Sequence, residues 1–390
     1  MTIGIGYLRI NENGRKYVLD CIDNNRLSRG KYTTQFEKQF AEAHQCKHGI
    51  FCNSGTSALQ IALATLKEIY GYEDGDEVIV PALTFVATGN IVLHANLKPV
   101  FVDVDPYTFN INPKLIEEKI TSRTRAIVAV HLMGLPADME AVMEIAKKHN
   151  LQVIEDSCET VLAKINGKSV GSFGDMSCFS CYVAHLIVGG VGGLVTTNRD
   201  DYAILCRSYL AHGRDHIYLS IDDDDNISDK ELEIIMKRRL SFDRIGYSYR
   251  ATELEAAIAL SELEQADNMI KKRRHNAAKL MLLLSKYEDL QLAYIPLNYE
   301  HSFMNFPVVV SDKIDRDKLL MHLERKDIET RYIYPLLIQP IYRDMWPGLE
   351  YSYPVAKKIS EKGFFIGIHQ GLEYSDLEYV AKVFEEYFKD

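Results

Sequence analysis

Apolar runs ending in polar residues alternate with helical patterns through about the first 215 positions. Glu77 to Val80, Pro99 to Asp103, Ala126 to His131 and Leu151 to Asp156 read as strands. Between them, Ser57–Tyr70, Thr88–Ala95 and Met139–Asn150 carry helical spacing. Strands apolar at successive positions are buried on both faces, so the alternation predicts a mostly parallel sheet covered by helices. Ligands of such sheets sit outside the carboxyl ends of the strands, where His131 and Asp156 each fall. Farther on, Leu254, Ala257, Ile258, Leu260, Leu263 and Ile270 suit a long helix or a pair of them between Thr252 and Lys286. A strand at Phe306–Val310 and helices over Asp315–Lys326 and Ser375–Lys389 complete a smaller α+β unit. The predicted division is a large α/β domain over 1–250, then a helical connector and small domain over 251–390.

Composition narrows the function classes. The 390 residues are 47% apolar and 26% charged, which suits a folded enzyme rather than a disordered chain. A net charge of −10, with Lys271, Lys272, Arg273 and Arg274 as the one basic run, argues against a nucleic-acid surface; that run reads as a solvated helix face. The acidic run from Asp222 to Asp225 reads as an exposed loop and lacks the glycine and terminal glutamate spacing of a calcium loop. No apolar stretch reaches the ~18 residues of a membrane span, and the start of the chain lacks the pattern of a signal peptide, so a cytoplasmic protein is expected. Seven scattered cysteines make no disulfide framework. Cys178 and Cys181 have no second pair to complete a zinc or iron–sulfur site.

Four places carry candidate chemistry. Asn53, Ser54, Gly55 and Thr56 precede the apolar-periodic segment Leu59–Leu66, so free N–H groups, hydroxyls and a helix dipole form an anion site or, with no ligand, a plain N-cap. Phe85 follows a strand and precedes a helix, as a ligand-facing ring or as core. Asp156 ends its strand, as a ligand carboxylate or a turn residue. Ser180 stands five positions before His185, and Gly190, Gly192 and Gly193 follow with the freedom a sharp bend requires.

The run Ser180-Cys181-Tyr182-Val183-Ala184-His185 and its glycines resemble the coenzyme-attachment loop of the DegT/DnrJ/EryC1/StrS sugar aminotransferases. So do Leu27–Gly30, His131–Gly134, Gly171–Asp175, His212–Asp215, Gly246–Arg250 and Tyr334–Gln339, and the resemblance spans nearly the whole chain. It implies the aspartate-aminotransferase-like fold (PLP fold type I), with a seven-stranded mixed, mostly parallel sheet. It implies that Gly55, Thr56 and Ser180 bind the coenzyme phosphate, Phe85 stacks on the pyridine ring and Asp156 holds the ring nitrogen protonated. Glu159 would lie near the phenolic oxygen, and Ser248 would reach the site from the partner of a homodimer with shared active sites. Two departures stand out. Leu186 replaces the second of two histidines, and Ser248 replaces a phosphate-reaching asparagine.

The family's attachment lysine is His185 here, and an imidazole has no primary amine with which to tether the coenzyme; it can move protons. Within the family, a histidine at this position marks the sugar 3-dehydratases, one branch with an iron–sulfur cluster and one metal-free. No cysteine follows Cys206, so the chain resembles the metal-free branch. The implied reaction uses non-covalently bound pyridoxal/pyridoxamine 5′-phosphate to remove the C3 hydroxyl of a nucleotide-linked 4-keto-6-deoxy sugar. His185 would act as base and then acid near an ordinary pKa of about 6.5, and L-glutamate would restore the amine. Deoxysugar supply for surface polysaccharide is the implied setting. The rivals are a sugar aminotransferase that tolerates His185, natural or substituted, and a non-catalytic nucleotide-sugar or coenzyme binder.

Overall fold

The computed structural model describes residues 2–215, 228–238, 240–333 and 336–389. The acidic run 222–225 and the first two residues of the run 334–339 lie outside them. Helices α1 (Glu12–Asp23) and α2 (Lys31–Ala43) precede β1 (His48–Cys52), α3 (Gly55–Tyr70), β2 (Glu77–Pro81), α4 (Val86–His94), β3 (Lys98–Val102), β4 (Thr124–Val130), α5 (Met139–His149) and β5 (Gln152–Asp156). The short hairpin β6 (Lys164–Ile165) and β7 (Lys168–Ser169) leads to β8 (Met176–Ser180), β9 (Gly193–Thr197) and α6 (Asp200–Leu210).

Seven strands form one sheet in the order β1-β9-β8-β5-β4-β2-β3. β9 runs against both of its neighbours and every other pairing is parallel, so one reversed strand makes the sheet mixed. From Ala126 to Val130 no residue of β4 is more than 4% exposed, as expected of a strand with both faces covered. The strands read from sequence agree with the observed ones within two residues. In this sheet β1, β8 and β9 are the additions; they are as long as β2, β3 and β5, but each holds cysteine, serine, threonine or glycine, which blurs the apolar signal.

The expected connector is a pair of helices, Glu253–Leu263 and Ala266–Leu284. Thr252 and Glu255 start the first with a reciprocal capping box. The basic run at 271–274 departs from a solvated face. Arg273 is 1% exposed and donates to the carbonyls of Phe303 and Met304 and to Gln370 Oε1, each at 3.0 Å. Helical period puts position 273 on the same face as Ile270 and Ala277, which turns it inward.

Beyond the connector, β10 (Leu290–Leu292), β11 (Tyr299–Glu300), β12 (Asn305–Val310), β13 (Thr330–Tyr332) and β14 (Gly363–Gly367) follow. β11 joins β6 and β7; the others form an antiparallel sheet in the order β10-β12-β14-β13. One face packs Phe306, Val308, Phe364 and Ile366 against Leu280, Leu284, Val380 and Phe384 of the helices. The other face turns Phe365 and Val309 toward the large sheet. Ser302 N–H donates to Gly134 O at 2.8 Å and Met304 N–H to Met133 O at 3.1 Å, lashing the small sheet to the turn after β4. On the far side, Asp103 accepts from the N–H groups of Val355 and Ala356 at 3.0 and 2.8 Å.

Candidate active site

A cavity of about 910 Å³ opens at the carboxyl ends of β1, β2, β4, β5 and β8, roofed by residues 5–8 and by the small sheet. Gly55, Thr56, Phe85, Asp156, Glu159, Ser180 and His185 all line it. Ser248 does not. It is exposed and accepts a 3.4 Å hydrogen bond from Arg250 Nη2.

One end of the cavity is the start of α3. The Ser54 hydroxyl accepts from Ser57 N–H at 3.1 Å, while the first N–H groups of the helix have no carbonyl one turn back to receive them. Packing makes this corner tight. A Cβ on Gly55 would stand 2.7 Å from Cys158 Sγ and 2.9 Å from Ser180 Cβ, so only glycine lets the helix start touch the β8 end. Gly190 and Gly192 have φ of +93° and +133°, a backbone that side chains resist, and through them the chain leaves the His185 turn for β9.

Asp156 ends β5 and is 5% exposed. Burial pushes its carboxyl above the usual range, against the pull of the Thr88 hydroxyl at 2.8 Å and the Cys158 N–H at 3.2 Å. Thr84 stands behind Thr88 at 2.9 Å. A buried carboxylate supported this way is suited to a cationic partner entering from the cavity. Glu159 accepts from Met133 N–H at 2.8 Å.

His185 sits in a turn closed by its own N–H to Tyr182 O at 2.9 Å, with the Tyr182 ring edge-on at 5.8 Å. Part of the imidazole faces the cavity. Its Nδ1 is buried and meets no partner among the described residues. Burial pushes its pKa down to about 4, opposed by the carbonyls of Ser180 and Cys158. That revises the ordinary value near 6.5: at neutral pH this ring is uncharged, a weaker base than free imidazole and, once protonated, a stronger acid. No lysine is among the described residues lining the cavity.

Position 186 faces the core rather than the cavity: Leu186 is 2% exposed and packs among Phe51, Ile187 and Leu260, so the departure from a histidine pair leaves the cavity wall unchanged. His131 is internal as well. Its Nδ1 accepts from Ala137 N–H at 2.9 Å and its Nε2 lies 3.0 Å from Glu155, so both nitrogens are used and it does not line the cavity. Sequence reasoning missed Thr88, Asn305 and the N-terminal residues Ile5 to Leu8, which also reach the site. Asn305 had a legible signal, an amide at the head of an apolar strand. Among the described residues, no group of three or more His, Cys, Asp or Glu could hold a metal, and no helix is long and apolar enough to cross a membrane.

Over residues 8–385 the chain matches the DegT/DnrJ/EryC1/StrS aminotransferase family. It is 34% identical to GDP-perosamine synthase of Caulobacter vibrioides over 389 residues, 98% of each protein. Its fold is similar to that of E. coli GDP-4-keto-6-deoxy-D-mannose-3-dehydratase with bound hydrated PLP, at TM-score 0.89 and 25% identity over 98% of this chain and 99% of that one. A GDP-4-keto-6-deoxymannose-3-dehydratase structure with a trapped PLP-glutamate geminal diamine is similar at TM-score 0.87 and 25% identity, with the same coverage.

Proposed function

We propose that this chain, which belongs to the DegT/DnrJ/EryC1/StrS aminotransferase family, is a 3-dehydratase that removes the C3 hydroxyl of a GDP-linked 4-keto-6-deoxy sugar. It is a PLP-dependent sugar-modifying enzyme of that family. His185 carries the dehydratase reading: a neutral imidazole in the cavity wall, with no lysine among the described lining residues. The relatives supply the nucleotide, since a GDP sugar appears in the names of both the synthase and the dehydratase.

The residues present fit pyridoxal or pyridoxamine 5′-phosphate held without a covalent bond. The start of α3 at Gly55 and Thr56, with Ser180, suits the phosphate; Phe85, 53% exposed, lines the cavity with an aromatic ring suited to stacking. Asp156 would take the ring nitrogen, whose proton would give the buried carboxylate a positive partner, and Glu159 would hold the phenolic oxygen. When bound, the amine form supplies a nucleophile for the C4 ketone and a ring that accepts electrons.

His185 then has one task in two directions. Uncharged at neutral pH, it accepts a proton from carbon; its imidazolium, acidic because burial disfavours charge, hands that proton to the departing C3 oxygen. Asp156 would face the ring nitrogen throughout. L-glutamate would return the amine, a role supported by the relative trapped with PLP and glutamate. A homodimer would bring Ser248 of a second copy toward the phosphate. Leu240 and Ile245, 80% and 95% exposed on the approach to Ser248, favour such an interface.

The 34% identity to a GDP-perosamine synthase favours a second reading, amination at C4. Incubating the purified protein with coenzyme, L-glutamate and GDP-4-keto-6-deoxymannose separates the two. The expected products are a 3-deoxy-4-keto sugar and ammonia. A stable 4-amino sugar would overturn the dehydratase reading.

A further inference from the structure

Asn305 opens β12, and its neighbours alternate around it. Phe306 and Val308 enter the core of the small sheet, while Asn305 turns to the cavity and lines it. The residue is 1% exposed, and its Oδ1 is fully buried with no hydrogen-bond partner among the described residues. Native proteins rarely leave a buried amide unanswered. Ile5, Met304 and Phe365, which line the same wall, have apolar side chains that cannot answer it.

The position indicates what could. Gly55, Ser180 and Asp156 occupy the large-domain side of the cavity, and Asn305 faces them from the small sheet, so it borders whatever lies beyond the coenzyme. An amide turned about its last torsion exchanges oxygen and nitrogen. The partner that suits it in either orientation both donates and accepts, which a hydroxyl does. A phosphate or a keto oxygen only accepts, and an ammonium only donates.

We infer that Asn305 is a specificity-determining residue that receives a ring hydroxyl of the sugar through its side-chain amide, whose oxygen has no partner among the described residues. The inference rests on the proposed function for the identity of that sugar. A 1-linked 4-keto-6-deoxyhexose carries just two hydroxyls, at C2 and C3, so the candidates are few.

The test is a binding cycle on the full chain loaded with the aldehyde form of the coenzyme, which does not turn the sugar over. Dissociation constants are measured for GDP-4-keto-6-deoxymannose and its 2-deoxy and 3-deoxy counterparts, with wild type, Asn305→Leu and Asn305→Asp. In wild type, loss of the recognised hydroxyl is expected to weaken binding by about five- to tenfold. In Asn305→Leu that ratio is expected to fall to near one, and in Asn305→Asp, which still accepts, to persist. Without sugar, Asn305→Leu is expected to melt no lower than wild type, because it removes a buried group that has no partner; a structural asparagine would show the reverse. An unchanged ratio in Asn305→Leu, or no wild-type ratio for either hydroxyl, overturns the inference. If Asn305→Leu does not fold, the structural role is shown and the inference fails, whatever Asn305→Asp does. The chemical reading is judged separately by product: a 4-amino sugar with the binding cycle intact defeats the dehydratase and leaves Asn305 standing, and a 3-deoxy product with no coupling does the opposite.

Discussion

Chemistry at the residue scale is set by how much water His185 sees. Sequence identified the residue but not its proton affinity, because that depends on the walls around it, namely the β8 end, Cys158 and the roof over residues 5–8. With its pKa down to about 4, His185 is expected to leave kcat/KM flat from pH 8 to about 5, with the acid limb centred near 4. A pH–rate profile of free enzyme with saturating glutamate checks this; a limb near 6.5 would mean that water reaches the ring. Asp156 is a parallel case. Its place at a strand end was legible from the apolar run before it, whereas the Thr84–Thr88 relay was not, because those hydroxyls look like ordinary helix-start residues until the sheet sets β2 and β5 on either side of β4.

At the scale of elements, one charged side chain joins three pieces of chain. Arg273 ties the helix Ala266–Leu284 to the carbonyls before β12 and to the loop after β14, so truncation removes three hydrogen bonds and leaves buried oxygens without donors. Arg273→Ala is expected to destabilise the protein by about 3 kcal/mol or more, read from the midpoint of urea unfolding. A loss under about 1 kcal/mol would show that water replaces the guanidinium. This residue also marks a limit of pattern reading. A run of four cations says solvent, and only the phase of the helix, fixed by Ile270 and Ala277, says that the third one points in. The parallel strands β2 to β5 and the helices α3 to α5 were legible because their apolar runs are continuous or periodic. β1, β8 and β9 were not, since Gly49, Ser177, Thr196 and their neighbours gain burial from tertiary packing rather than from their own apolarity.

For the whole molecule, acid is the expected weakness. Burial holds His44 near pKa 4 and His301 near 3, while the unfolded chain titrates near 6.5. Below pH 6.5 the unfolded state therefore binds protons that the folded state refuses, so stability falls as pH drops from 6.5 toward 4. Melting temperature is expected to decline over that window, with a shallower slope in His44→Gln; a flat profile from pH 7 to 4.5 would refute it. The fastening of the small sheet sets how ligands arrive. That sheet is tied to Met133 and Gly134 after β4, and the nearby N–H groups of Val355 and Ala356 are tied to Asp103 after β3, so swinging the smaller unit away from the large sheet would break these hydrogen bonds. A ligand entering through the mouth would thus meet a slot whose width these ties already hold.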